Sequence, residues 1–138
     1  MKLVVDSNVL FTFFWKESVF RSVLCRSDIQ LFAPDYALAE IKKHAGEIIR
    51  KTDITKAEFE RIKEDLCTKI RFFPLEHYAN QFKKFKLPDE HKIELLGDID
   101  FLALALNLGC SLWSNDELLK TQSSVIVLST KDLINLLS

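Results

Sequence analysis

Glycine and proline are scarce in this chain, three of each in 138 residues, and there is a single methionine. That scarcity excludes collagen-like, Gly/Ser-linker and Pro-rich architectures. Cysteine is also sparse. Cys25, Cys67 and Cys110 are odd in number, widely spaced and form no CxxC pair, so neither a zinc site nor a disulfide framework is indicated. Buried free thiols in a reducing cytoplasm are the expectation. Positive charge is not in excess. The formal net charge is −1, so no global field draws in polyanions and any basic patch has to be local. No apolar run reaches membrane-spanning length. No basic segment leads into an apolar run with a cleavage site, so a cytoplasmic protein without a membrane partner is expected.

Hydrophobic residues are plentiful, at 48%, and eleven are phenylalanine. This is a globular composition with enough length for one sizeable core. No linker, repeat or low-complexity stretch divides it, and residues 1–138 read as one domain.

Along the chain, short β-branched or aromatic runs alternate with helical periodicity. Residues 2–5 read as a first strand. Apolar positions from Asn8 to Cys25 recur at helical spacing, with a break near Glu17-Ser18. Residues 29–33 read as a second strand closed by Pro34, and Asp35 is placed to cap a helix running to about Lys51. Thr55 and Glu58 match a capping box for a further helix carrying Phe59, Ile62 and Leu66. Residues 70–73 form a third strand, and 75–85 a modest amphipathic helix. Lys86 to Gly97 is the most loop-like stretch, with Pro88 to Leu95 open to a helical reading. Asp98 to Leu108 is apolar on most sides, as a central buried helix is, and Gly109 ends it. Residues 110–113 and 125–128 are the last strands, with a short helix over 117–122 between them. Thr130 caps the final helix. This alternation predicts a three-layer α/β/α fold with a parallel five-stranded sheet.

In such a sheet ligands bind beyond the carboxyl ends of the strands, where strand order reverses. Asp6 follows the first strand and Asp116 the fourth. Glu40 lies on the helix leaving the second strand. Asp98 begins the buried helix that enters the fourth strand, with Asp100 two residues on. An order of 3-2-1-4-5 makes the first and fourth strands neighbours and brings these carboxylates to one crevice. Clustered carboxylates in a low-dielectric cleft force a proton onto one of them unless a cation intervenes. Oxygen-only donors suit Mg²⁺ or Mn²⁺, and carboxylate-held metals support in-line phosphodiester displacement. Plainer readings stand beside this one. Asp98 and Asp116 are each placed to cap a helix, Glu40 to be a solvated helix residue. Asp6 is hardest to treat so, because it closes a buried strand.

Four segments, Val4–Leu10 (VVDSNVL), the A-x-x-E-I of Ala37–Ile41, Asp98–Leu106 (DIDFLALAL) and Leu112–Leu119 (LWSNDELL), together resemble PIN-domain ribonucleases. The single-domain prokaryotic type is most similar, the group that includes the VapC-like toxins of toxin–antitoxin modules. The resemblance runs the length of the chain. It implies a PIN-like fold and a Mg²⁺- or Mn²⁺-dependent endonuclease acting on single-stranded RNA, a homodimer, and a small antitoxin protein as partner. It makes Asp6, Glu40, Asp98 and Asp116 the catalytic, metal-binding carboxylates. Asp100, Ser114 and Asn8 are implied auxiliaries, with Asn8 supporting the first aspartate. Two features depart from the family pattern: the extra helix over 55–68 and the slightly acidic net charge.

Lys43 and His44 lie three and four residues beyond Glu40, share its helix face, and are the residues expected to contact RNA. A second basic cluster is Lys83, Lys84 and Lys86. The aromatic run Phe11–Trp15 is expected to be core or a dimer surface, with base stacking as the alternative. Two other functions fit parts of the sequence. One is a haloacid-dehalogenase-like or receiver-type phosphotransfer domain using Asp6 as nucleophile, although Asn8 stands where the phosphatase wants a second aspartate. The other is a non-catalytic RNA-binding module.

Overall fold

The computed structural model describes residues 1–16, 18–24, 26–85 and 98–138. Its centre is β1 (Lys2–Val5), whose last three residues are fully buried. On one side β1 pairs in parallel with β2 (Gln30–Pro34), which pairs with β3 (Ile70–Phe73). On the other it pairs with β4 (Ser111–Trp113), which pairs with β5 (Val127–Leu128). The order β3-β2-β1-β4-β5 is the one expected from the sequence, and every pairing is parallel. Consecutive β1 and β2 are neighbours, whereas the chain crosses back from β3 to reach β4. The order therefore reverses between β1 and β4, and a crevice opens beyond their carboxyl ends.

Among the described residues the α-helices are α1 (Ser7–Phe11), α2 (Val19–Leu24), α3 (Asp35–Lys43), α4 (Ala45–Thr52), α5 (Lys56–Lys69), α6 (Ile99–Leu108) and α7 (Thr130–Leu137). The most apolar is α6, and Phe101 through Ala105 are completely buried in it. It packs against β1, β2 and β4. Gly109 stops it in the left-handed conformation, φ 66°, which costs a Cβ-bearing residue free energy and glycine little. The capping box at Thr55 is formed in both directions: the Thr55 hydroxyl accepts from Glu58 N at 3.0 Å, and Thr55 N donates to the Glu58 carboxylate at 3.2 Å.

Several local expectations are corrected. The helix from Asp35 does not run unbroken to Lys51. His44, at φ −98° and ψ 13°, separates α3 from α4. Asp35 is the first helical residue of α3, and Pro34 holds the cap position with extended backbone, since proline's fixed φ suits helix entry without a donor. Residues 75–77 and 79–84 are short 3-10 turns, and so is 117–121. The final helix is capped by Ser129 in a reciprocal box with Asp132. The Thr130 hydroxyl instead accepts from Trp113 Nε1 and Asn115 Nδ2. Of the aromatic run, Phe13 and Phe14 are core, Phe11 is half-buried and Trp15 is 38% exposed. Cys67 is exposed and Cys110 half-buried, so the expectation of buried thiols fails for Cys67. Cys25, Glu17 and the stretch 86–97, with its loop or helix, lie outside the described residues. Among the described residues no helix is long and apolar enough to cross a membrane.

Candidate active site at the carboxyl edge of the sheet

Register builds the first part of the site. Val5 of β1 stands opposite Trp113 of β4. One residue further along each strand, Asp6 N donates to Trp113 O at 3.0 Å, and the Ser114 hydroxyl donates to Asp6 Oδ2 at 2.7 Å. Both side chains are buried, Asp6 at 3% exposure and Ser114 at 0%. The same Ser114 oxygen accepts from Asp116 N at 3.1 Å, so one hydroxyl couples the two aspartates that end adjacent strands. Asp6 occupies the position before α1 but makes no side-chain cap for it. Burial raises its carboxyl above the usual aspartate value. The charges of Asp116 and Glu40 add to the rise, and the Ser114 hydroxyl and Ser7 N–H oppose it.

Glu40 lies in the second turn of α3 and is held by Ser7, whose hydroxyl donates to Glu40 Oε1 at 3.0 Å. Ser7 was not singled out by sequence. Asp98 precedes α6 at the cap position, yet its side chain caps nothing. Burial first, then the charges of Asp6, Asp116 and Glu40, push its carboxyl up to about 7. Asp98 therefore feels the other three carboxylates as one acidic field. Asp116 uses one oxygen to cap the turn after it: Oδ1 accepts from Leu118 N at 3.0 Å. The capping reading thus holds for one oxygen of Asp116 and not for Asp98.

Asp100, unlike Asp98, has a side-chain partner among the described residues. The Tyr78 hydroxyl donates to Asp100 Oδ2 at 2.6 Å, tying Asp100 to the 75–84 segment beside α6. Tyr78 is 1% exposed, and burial together with Asp100 raises its phenol above the ordinary tyrosine value. Tyr36 is a second residue that sequence reasoning passed over. It lies one turn before Glu40 on α3, its ring 6.3 Å from Phe101, and Glu40, Asp100 and Asp98 add to a phenol pKa raised mainly by burial. Its i, i+4 relation to Glu40 was the available signal.

Asn8 is exposed, and among the described residues no hydrogen bond joins it to Asp6. The support of Asp6 comes from Ser114 instead. His44 lies edge-on to Phe11 at 5.8 Å, with Nδ1 3.5 Å from Glu47 Oε2. Lys43 is exposed on the same helix. Lys83 and Lys84 are exposed on the 3-10 turn, and Lys86 lies outside the described residues. His77 is taken up by Asn107, and His91 is outside the described residues. A cavity of about 920 Å³ lies along β2 and β3 between Lys2 and Phe73, and none of these carboxylates lines it.

The donor set is oxygen only, with no His or Cys, which is the chemistry of a hard divalent cation. Asp98 held near 7 marks negative charge that a cation would offset. Among the described residues no three such side chains already stand close enough together to grip an ion.

A family model described as PIN domain matches residues 4–126. The chain belongs to the PIN-domain family. PIN domains are in general nucleases that use divalent metal ions. Among solved structures, a chain in the crystal structure of VapBC2 from Rickettsia felis, bound to a DNA fragment from their promoter, matches this PIN domain with a TM-score of 0.69. The match covers 94% of this chain and 98% of that one at 13% identity, and it is a likeness of fold. A search of the curated proteins by sequence finds no match.

Proposed function

We propose that this PIN domain is a Mg²⁺- or Mn²⁺-dependent endoribonuclease that hydrolyses phosphodiester bonds of single-stranded RNA. The observation that carries the reading is Asp98. It is a half-buried carboxylate that caps no helix and is raised to about 7 by burial and by Asp6, Asp116 and Glu40. Among the described residues no cation or hydrogen-bond donor meets its side chain, whereas a purely structural carboxylate is ordinarily paired or hydrogen-bonded. Asp6, Asp98 and Asp116 would hold the metal, with Glu40 completing the set, and Asp100 is auxiliary. A divalent ion held there supplies activation of the attacking water and stabilisation of the leaving oxygen. The chain's own contribution is orientation. Ser114 fixes Asp6 Oδ2 and the Asp116 backbone in one arrangement, and Ser7 fixes Glu40. Lys43 and His44, which follow Glu40 by three and four residues, would meet the RNA backbone.

The family and the VapBC2 likeness support a further reading of the role: the toxin of a toxin–antitoxin pair, cytoplasmic, homodimeric, a single domain over residues 1–138, and held in check by a small antitoxin protein. The test uses labelled single-stranded RNA. Cleavage is expected with Mg²⁺ or Mn²⁺, to stop in EDTA, and to fall roughly 100-fold or more in Asp6→Asn with the fold intact, since outer-shell changes alone cost 10–100-fold. Wild-type cutting by Asp6→Asn would overturn the site. Full-strength RNA binding without cleavage under any divalent ion would make this a binding module.

A further inference from the structure

A cavity of about 290 Å³ opens beside Glu40, between α1 and the α3–α4 junction. Its walls are Phe11, Trp15, His44 and Ile48, with Asn8 and Lys51 at its polar side. It is at the lower limit of small-molecule sites, about 300 Å³. Trp15 is 38% exposed, although the neighbouring Phe13 and Phe14 are core. Leaving a large aromatic surface in water has a cost that burial elsewhere in the run avoids. The His44 ring is set edge-on to Phe11 at 64°, and both line the cavity beside Trp15 and Glu40. The Asn8 amide carries both donors and acceptors, which suits it to a base edge. Lys51 Nζ sits 2.7 Å from Glu47 Oε1, which offsets the acidic charge in the wall.

Resting on the ribonuclease reading, we infer that this cavity is a nucleobase subsite. It takes the base of the nucleotide next to the scissile phosphate, stacked on Trp15 and read by Asn8. The charge balance favours this occupant. At a net charge of −1 the chain has no global positive field to hold an RNA backbone. Base–aromatic stacking supplies affinity that does not depend on such a field. The salt dependence of binding is correspondingly shallow, because few phosphates are neutralised.

The test uses the full chain with Asp6→Asn, in Mg²⁺, and ribo-homopolymer decamers as probes, with tryptophan fluorescence as the readout. Trp113 is 1% exposed, so quenching reports Trp15. At least one decamer is expected to quench. Adding Trp15→Ala is expected to abolish quenching and weaken binding, followed by fluorescence polarisation, roughly tenfold at an unchanged salt slope. Trp15→Phe is expected to restore most of the affinity, which separates stacking from a folding defect. A decamer of abasic ribose phosphate is expected to bind weakly and not to quench. Equal binding by Trp15→Ala, or equal quenching by the abasic decamer, would overturn the subsite while leaving the nuclease intact. A wild-type protein that neither binds nor cuts RNA would remove the ribonuclease reading and the subsite with it.

Discussion

Replacing Asp98 by asparagine should make the cation-free protein more stable and the nuclease inactive. In the folded chain, burial and the charges of Asp6, Asp116 and Glu40 raise the Asp98 carboxyl from 3.8 to about 7. The folded state therefore binds this proton more tightly than the unfolded chain does. The stability it contributes is complete below about pH 4 and is lost as the pH rises to about 7. Each pH unit across that window is worth about 1.4 kcal/mol, or about 4 kcal/mol in full. Asp98 is only half-buried, and solvent screening reduces this to about 2 kcal/mol. Asparagine has no charge to desolvate. In EDTA at pH 8 the variant should therefore melt about 6 °C above wild type, at roughly 3 °C per kcal/mol for a chain of this size. At pH 4 the two should coincide. Scanning calorimetry in EDTA from pH 4 to 8 measures both limits. Mn²⁺ should raise the melting temperature of wild type at pH 8 and leave the variant nearly unmoved. RNA cleavage by the variant should fall roughly 100-fold or more. A variant that melts at or below wild type at pH 8, or a gain that does not change with pH, would refute the shared acidic field.

Ser114→Ala removes a charge-assisted hydrogen bond to buried Asp6 and should cost about 2 kcal/mol in denaturant unfolding, with cleavage reduced roughly 10- to 100-fold. Tyr78→Phe leaves the Asp100 carboxylate without its hydroxyl donor and should lower stability by about 1–2 kcal/mol, checked by urea titration. Asp132 is held down to about 2 by the backbone N–H and hydroxyl of Ser129 and by Lys120. Its contribution is present above about pH 4 and lost as the pH falls toward 2, so Asp132→Asn should flatten that acid limb of the melting curve. Gly109→Ala forces a Cβ into φ 66° and should cost about 1 kcal/mol.

Much of the sheet was legible because parallel buried strands are written as short apolar runs and because carboxylates mark their ends. Strand order was a premise that brings Asp6 and Asp116 to one crevice between β1 and β4, and no local pattern writes it; the sheet has that order. The buried α6 was legible from an apolar run that no solvent face interrupts. Local ends were less so. His44 breaks α3 from α4 although nothing in Lys42-Lys43-His44 forbids a continuing helix. Ser129 rather than Thr130 caps the last helix, and the Thr130 hydroxyl is engaged by Trp113 of β4 and Asn115 just after it. That contact is tertiary and leaves no local trace. Of the candidate carboxylates, Asp6 and Asp116 could be named from strand ends, Glu40 and Asp98 only from helix positions and the family resemblance, and the partners of none could be read. Ser7 reaching Glu40 across 33 residues, and Tyr78 reaching Asp100 across 22, depend on how helices settle on the sheet. Trp15 could be buried or exposed by sequence alone, and only packing separates it from Phe13 and Phe14.

The central claim is that Asp6, Asp98, Asp116 and Glu40 hold a divalent ion at the carboxyl edge of β1 and β4. An anomalous difference map from crystals soaked in Mn²⁺ tests it most directly. A peak is expected among Asp6, Asp98 and Asp116, lost in Asp6→Asn crystals soaked alike. A map with no peak there, from protein that still cuts RNA in Mn²⁺, would contradict it.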